Sequence, residues 1–281
     1  MNTDELPEDT RIGRTALLVS NLAEMTEFYQ RVVGLSVLDQ STTVSVLGTG
    51  ETPLLVLEEA NTLPESGPTA GLFHTAFRVP SRAALGDALG RIREHSRLSG
   101  ATDHRVSEAL YFTDPEGNSV EIYRDFPKAE WPIADDGNIR IGNDPIDIDG
   151  IEDAAEGETQ APAGTDIGHV HLEVSSLEAF RELYVGTLGF GVKTAFPNAY
   201  FVSAGQYHHH IAANTWHHRT KPRSGSGLSW FEVVLPEQAA LEALRDRLAA
   251  SQWTVTETDE GISVTDTDEI EIRFRWDTAS T

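Results

Sequence analysis

The chain has 281 residues, of which 39% are hydrophobic and 23% charged, a composition typical of a globular protein and not of a disordered one. Its 45 acidic residues outnumber the 21 lysines and arginines, and the resulting net charge of −24 disfavours nucleic acid and anionic membranes as partners. The absence of cysteine excludes disulfides, thiolate metal sites and a cysteine nucleophile.

Residues 1–5 carry neither the basic nor the apolar stretch of a secretion signal, and no run of apolar residues is long enough to span a membrane, so we expect a cytoplasmic protein. Only three of the 21 basic residues are lysines. A surface that is this acidic and this poor in lysine resembles the surfaces of proteins adapted to a salt-rich cytoplasm, where dissolved ions screen the repulsion between carboxylates. An ordinary acidic protein is the alternative.

The first predicted elements form a compact module. Residues 15–19 are β-branched and apolar, as in a strand. From Leu22 to Val33 the apolar residues keep the i, i+3, i+4, i+7 spacing of an amphipathic helix, and Gly34 suits its C-cap. Short alternating strands at residues 43–46 and 54–57 complete a βαβββ pattern.

The pattern repeats along the chain. Residues 12–20 align with residues 167–175, and residues 71–85 align with residues 227–241, at offsets that differ by a single position. Two such offsets over two long stretches indicate an internal duplication. We therefore predict an α+β fold built from four βαβββ modules, two in each half of the chain.

The duplication also predicts the domain boundaries. The N-terminal half spans residues 1–126 and the C-terminal half residues 166–281. Between them, residues 127–165 are rich in acidic residues, proline and glycine, as expected of a connecting segment. Trp131, Ile146 and Ile148 indicate that part of this segment packs.

Several stretches resemble one known family. They are FYQRVVGL at residues 28–35, LYVGTLGF at 183–190 and DPEGNSVEIY at 114–123. Together with the paired modules they resemble the vicinal oxygen chelate superfamily, which includes glyoxalase I, bleomycin-resistance proteins and extradiol ring-cleaving dioxygenases. GLFHTAF at 71–77 and YHHHIAANTW at 207–216 are most similar to the two-domain catechol 2,3-dioxygenase branch. The resemblance implies half-open, barrel-like sheets with helices on their outer faces.

Strand alternation independently sorts the candidate ligands. In the strand predicted at residues 169–174, His169, His171 and Glu173 share one face and apolar residues the other. The same rule places His74 and Glu121 on the polar faces of their own strands. A polar face meets either water or a lined cavity, and the clustering of the ten histidines favours the cavity.

The resemblance implies a metal bound by two histidines and one carboxylate, with one histidine from the first strand of one module and the other two ligands from the first and last strands of its partner. Such a set suits Fe(II), with Mn(II) or another divalent metal as the alternative. His74, Glu121 and His169 complete the set if the second module pairs with the third. The first and fourth modules would then enclose a cavity blocked by Arg14 and Trp230.

Pairing of modules in chain order leaves a second possibility open. The C-terminal half would then offer His169 and Glu271, and His209 would have to replace the missing histidine.

The family resemblance also implies three residues that assist the chemistry. His209, which we place in a strand over residues 207–211 and on the face opposite His208 and His210, matches an acid–base position. Tyr111 matches a tyrosine that hydrogen-bonds the substrate. His104, near the same strand as Tyr111, is a further candidate.

These residues favour a metal-dependent extradiol dioxygenase, whose partners are a small aromatic diol and O2. A glyoxalase-type isomerase or lyase of the same superfamily is the first alternative, and a non-enzymatic small-molecule-binding protein is the second. A homo-oligomer is possible. The chain carries no GxGxxG after a strand, no phosphate-binding GxxxxGK[ST], no GxSxG and no HExxH, so nucleotide binding and those hydrolase classes have no support.

Overall fold

A computed structural model describes residues 5–60, 68–135 and 137–278; residues 1–4, part of the stretch without a secretion signal, lie outside it. In these ranges sixteen strands form two mixed eight-stranded sheets, joined by short helices. The predicted α+β class is confirmed. Over the same ranges no helix is both long and apolar enough to cross a membrane.

The elements of the first half follow the βαβββ order twice. They are β1 (Arg11–Val19), α1 (Leu22–Phe28) continued by a π-helix (Tyr29–Val33), β2 (Ser36–Gln40), β3 (Val44–Thr49), β4 (Thr52–Glu59), β5 (Gly71–Arg78), α2 (Arg82–His95), β6 (Gly100–Asp103), β7 (Ser107–Thr113) and β8 (Ser119–Asp125). A 3₁₀ helix (Lys128–Glu130) and α3 (Ile148–Asp153) lie in the predicted connecting segment.

The second half repeats the order. Its elements are β9 (Asp166–Glu173), α4 (Leu177–Phe180) continued by a π-helix (Arg181–Thr187), β10 (Gly191–Phe196), β11 (Ala199–Ser203), β12 (Ile211–Asn214), β13 (Gly227–Leu235), α5 (Gln238–Ala249), β14 (Val255–Thr258), β15 (Gly261–Thr265) and β16 (Glu271–Trp276).

Each of the two sheets has its own strand order. One sheet runs β14-β15-β16-β13-β1-β4-β3-β2 and the other β10-β11-β12-β9-β5-β8-β7-β6.

The described residues fall into two compact units. The N-terminal unit comprises residues 16–60, 73–135 and 137–168, and the C-terminal unit residues 5–15, 68–72 and 169–278. The domain boundaries expected at residues 126 and 166 stay a prediction. Each unit has its own fully buried aromatic core, which includes Tyr29, Phe77 and Phe112 in the first and Tyr184, Phe231 and Phe274 in the second.

The first helix ends where the sequence predicted. Asn21 caps its N-terminus by accepting a hydrogen bond from the Glu24 backbone, and Gly34 closes it in the left-handed conformation with φ of 87°. The last turn is not α-helical, however, because the Gly34 N–H donates to the carbonyl of Tyr29, five residues earlier. The spacing of apolar residues predicted the extent of the helix but not this wider turn.

The connecting segment packs against the N-terminal unit, as predicted. The Trp131 indole donates to the Phe126 carbonyl, and Ile151 of α3 is completely buried, whereas Ile146 and Ile148 are only half-buried. The buried side chain of Arg91 donates to the carbonyls of Val33 and Glu158, which fastens the segment to the end of the first π-helix.

Candidate metal centre

Two of the predicted ligands meet in the N-terminal unit. Strands β5 and β8 pair in parallel, with Ala76 opposite Glu121, so the polar faces of both strands lie side by side. His74 Nε2 lies 3.0 Å from Glu121 Oε2, and the two residues are only 5% and 2% exposed. The polar face is therefore buried, which agrees with a lined cavity and not with a water-exposed sheet.

Tyr111 lies beside this pair, on the neighbouring strand β7 opposite Glu121. Its ring centroid is 5.7 Å from that of His74. Burial, together with the negative charge of Glu121, raises the pKa of Tyr111 well above its usual value. The Tyr111 hydroxyl therefore keeps its proton at neutral pH and remains a hydrogen-bond donor.

His104 fixes the Tyr111 hydroxyl. It lies in the loop between β6 and β7, with Nδ1 2.7 Å from the Gly142 carbonyl oxygen and Nε2 2.6 Å from the Tyr111 hydroxyl. A carbonyl oxygen only accepts, so Nδ1 must carry a proton. In the neutral ring Nε2 is then the acceptor, and Tyr111 donates to it.

The third predicted ligand lies in the C-terminal unit. His169 of β9 is 3% exposed, and its ring centroid is 4.2 Å from that of His209. His209 in turn contacts His208, since their Nδ1 atoms are 2.7 Å apart, within hydrogen-bonding distance. Three imidazoles are thus packed together in the interior of this unit.

The histidine run corrects one prediction. Residues 207–210 are not in a strand, because β12 begins only at Ile211. Alternation therefore does not separate His209 from its neighbours, and all three histidines of the run are buried. His210 is occupied elsewhere, accepting at Nδ1 from the Ala204 N–H beside the Ser203 hydroxyl. The tight turn after β11 overrides the two-residue period that a continuous strand would impose.

The residues present fit a divalent metal. Each of the three predicted ligands is buried: His74 and Glu121 in the N-terminal unit, and His169 in the C-terminal unit. Two imidazoles and one carboxylate form a mixed nitrogen and oxygen donor set that first-row divalent ions accept. The carboxylate of Glu271, which belonged to the alternative set, instead pairs with Arg273 at 2.9 Å.

At the corresponding position of the first module, Arg14 is an ion-pair partner. Its guanidinium pairs with buried Glu232 at 2.6 Å, contacts Glu260 and lies 5.6 Å from the centre of the Trp230 ring. Although burial opposes ionisation of Glu232, hydrogen bonds and charge from Arg14 hold the pKa of Glu232 below its usual value. The sequence reasoning placed Arg14 and Trp230 at these two positions but did not anticipate the buried Glu232.

Polar contacts along β9 were also missed by the sequence reasoning. Glu173 is buried and accepts from both the backbone N–H and the ring of His217, with Arg219 close by. His171 contacts the Asn214 amide. Alternation had placed His171 and Glu173 on the same face as His169, but their partners come from the residues around and after β12, which no local pattern indicates.

Comparison with known proteins agrees with this geometry. Residues 11–122 match the model of the Glyoxalase/Bleomycin resistance protein/Dioxygenase superfamily. Over 270 residues the chain is 40% identical to the catechol-2,3-dioxygenase of Bacillus subtilis (strain 168), an alignment that covers 92% of this chain and 94% of that protein. The chain belongs to this superfamily.

Two further proteins match at lower sequence identity. The biphenyl-2,3-diol 1,2-dioxygenase 3 of Rhodococcus globerulus is 32% identical over 120 residues, covering 41% of this chain and 63% of that protein. Among solved structures, a glyoxalase I mutant from Zea mays aligns with a TM-score of 0.58 at 13% identity, over 95% of this chain and 92% of its own. At that identity the structural match shows only that the fold is shared.

Proposed function

We propose that this member of the superfamily is an extradiol dioxygenase, which opens the ring of a catechol-type diol beside its two hydroxyl groups by adding O2. The observation that carries the proposal is the buried set of His74, Glu121 and His169, at the positions where the sequence predicts ligands. The 40% identity to a catechol-2,3-dioxygenase over nearly the whole chain supports the same reaction class.

In this proposal His74, Glu121 and His169 hold Fe(II), with Mn(II) as the alternative that the same ligands accept. When bound, such a metal supplies a Lewis acid and a template on which the diol and O2 come together. His74, Glu121 and His169 would hold the ion and would leave it accessible to the diol and to O2. Their burial excludes bulk water from the reacting groups.

Two neighbouring side chains then assist the reaction, one by accepting a proton and the other by donating a hydrogen bond. His209, packed against His169, accepts a proton from a diol hydroxyl as the diol binds. Tyr111 is protonated, and its single hydroxyl proton turns from His104 Nε2 to a substrate oxygen as negative charge develops there. His104 acts through Tyr111 and is a positioning residue.

Matched substitutions in the two halves test the ligand set. Glu121→Gln should lose bound metal and ring-cleaving activity together, because an amide oxygen is a far weaker ligand than a carboxylate. His74→Ala and His169→Ala should do the same. Glu271→Gln, the corresponding change in the fourth module, should keep both. Metal content is measured by elemental analysis of the purified protein, and activity by the coloured ring-opened product of catechol.

Two results would reject parts of this proposal. If Glu121→Gln keeps its full metal content, the ligand set is wrong. If the metal-loaded protein turns over a substrate equally well without oxygen, the reaction is not a dioxygenation and a glyoxalase-type isomerisation takes its place.

A further inference from the structure

Residues of the connecting segment pair with the loop that carries His104, within the N-terminal unit. Asp103, at the end of β6, exchanges two backbone hydrogen bonds with Asp144, of 3.1 and 2.8 Å. Beside them, the Gly142 N–H donates to the His104 carbonyl at 3.1 Å, and the His104 ring donates from Nδ1 to the Gly142 carbonyl at 2.7 Å. We call residues 103–105 and 142–144 the clamp.

An ion pair joins the two sides of the clamp. The Arg105 guanidinium binds both oxygens of the Asp144 carboxylate, with Nε 2.6 Å from Oδ2 and Nη2 3.2 Å from Oδ1. Two parallel hydrogen bonds of this kind fix the relative orientation of the two side chains, which a single contact does not. The pair therefore fastens the connecting segment to the residue that directly follows His104.

The backbone at Arg105 depends on these contacts. Its φ of 69° lies in the left-handed region, which costs free energy for a residue other than glycine. The Asp103 carboxylate offsets part of this cost by accepting a hydrogen bond from the Arg105 N–H at 2.6 Å. Strained backbone of this kind persists only where the surrounding contacts maintain it. The conformation of the chain next to His104 is thus maintained by the clamp.

Gly142 lies where the clamp leaves no room for a side chain. A Cβ atom added to Gly142 would lie 2.5 Å from Nε and 2.8 Å from Cζ of Arg105. The φ of Gly142 is not positive, so the backbone itself would accept alanine. An alanine at this position must therefore displace the Arg105 guanidinium from Asp144.

We infer that the clamp positions Tyr111 for the reaction, because the connecting segment fixes the His104 ring and that ring contacts the Tyr111 hydroxyl, 2.6 Å from Nε2. This inference rests on the proposed function for the step in which Tyr111 takes part. Gly142, Arg105 and Asp144 act through His104 and are positioning residues. With the clamp intact, the hydroxyl already lies in one place when the diol binds, so the reaction does not have to order it.

Exchange of the His104 ring proton tests the clamp without metal and without turnover. In metal-free, isotopically labelled protein, the proton on Nδ1 gives a ring N–H signal in nuclear magnetic resonance, which is assigned by its loss in His104→Asn. A proton donated to the Gly142 carbonyl exchanges with water only when this contact opens. Asp144→Asn and Gly142→Ala should each speed this exchange about fivefold, the effect of losing one well-oriented ion pair.

Turnover of the metal-loaded protein in air gives the second measurement. Both clamp variants should lower kcat for catechol by about threefold to tenfold and leave KM within about twofold, because the diol still binds while the Tyr111 hydroxyl is less well placed. Both variants should keep their metal content, since neither substitution changes a proposed ligand.

Glu152→Gln is the matched control. Glu152 also lies in the connecting segment and forms a similarly exposed ion pair, with Arg93 of α2 at 2.5 Å, but outside the clamp. Its substitution removes the same charge from the same segment. It should change neither the exchange of the His104 proton nor kcat.

The outcomes separate the two proposals. Unchanged proton exchange in both clamp variants, or equally faster exchange in Glu152→Gln, would overturn the clamp while ring cleavage in air still upheld the dioxygenase. Faster exchange in the clamp variants with an unchanged kcat would overturn the positioning of Tyr111. Faster exchange without any ring cleavage by the wild type would support the fixing of His104 by the connecting segment and reject the reaction.

Discussion

At the scale of single residues, the role of His209 is separable from metal binding. His209 contacts His169 through its ring and lies within hydrogen-bonding distance of His208, and an imidazole in this position can exchange a proton without holding the metal. His209→Gln keeps polarity and approximate size but cannot exchange protons near neutral pH. We expect unchanged metal content and a fall in turnover of roughly 10²–10⁴, the usual contribution of a general acid or base. Elemental analysis and steady-state kinetics on catechol measure the two quantities.

The neighbouring histidine supplies the control for that experiment. His210 is equally buried, but its Nδ1 faces Ser203 and the Ala204 N–H, so His210→Gln should turn over at a rate close to that of the wild type. Should His209→Gln lose its metal as completely as His169→Ala, then His209 is a ligand, and the set that includes Glu271 replaces the one proposed.

How far single residues can be predicted depends on whether a strand holds them. His74, Glu121 and His169 were predicted as ligands because the family resemblance marks their positions and alternation on a regular strand fixes the face of each side chain. The contacts of His208 with His209 and of Glu232 with Arg14 escaped, since the first pair lies in an irregular turn and the second joins residues 218 positions apart. Such contacts follow from the tertiary fold and leave no periodic signal in the sequence.

At the scale of elements, one structural unit occurs twice. A buried tyrosine in each π-helix region donates to an aspartate in the turn before the last strand of the following module, Tyr29 to Asp114 and Tyr184 to Asp266, both at 3.0 Å. Tyr29 and Tyr184 are 155 positions apart, the same offset that aligns residues 12–20 with residues 167–175, and the DPEGN motif marked the first turn. The second turn reads Asp-Thr-Asp-Glu-Ile and lacks the Asn118 amide that also donates to Asp114. The role of this second turn was visible only in the structure.

This difference predicts a pH-dependent stability. Burial, with a smaller contribution from the charge of Asp268, raises the pKa of Asp266 to about 6, above its unfolded value of 3.8. The folded state therefore binds the Asp266 proton more tightly than the unfolded chain does. As pH rises and this proton is lost, the carboxyl group contributes less to the stability of the fold. From about pH 5 to pH 7 the wild type should lose about 1 kcal/mol relative to Asp266→Asn, which has no proton to lose. Urea unfolding at several pH values gives both free energies.

An exposed carboxylate serves as the comparison for Asp266. Asp259→Asn removes the same charge from the turn between β14 and β15, and its stability should follow that of the wild type across this pH range. Parallel stability profiles for Asp266→Asn and the wild type would show that the buried carboxyl does not titrate in this range.

At the scale of the whole molecule, the internal repeat was the sequence feature that predicted most of the fold. The offsets between the halves predicted four βαβββ modules, and the order of helices and strands along the chain follows that pattern four times. The π-turns were not predictable, because one wider turn barely changes the spacing of apolar residues. The packing of the connecting segment was indicated only in outline, since its fastening by Arg91 depends on a side chain more than sixty positions away.

The net charge of −24 predicts how the whole fold responds to salt. At neutral pH the excess carboxylates repel one another, and raising KCl from about 0.1 M to about 1 M shortens the screening length from roughly 10 Å to 3 Å. The same screening weakens the exposed ion pairs, but each of these contributes little to the stability of the fold. We therefore expect the midpoint of thermal unfolding at pH 7 to rise by roughly 5 °C, corresponding to about 2 kcal/mol. Near the isoelectric point of about 4.6 the repulsion is small, so the same salt increase at about pH 5 should have much less effect. An equal rise at both pH values would mean that salt acts through the hydration of the protein and not through its charge.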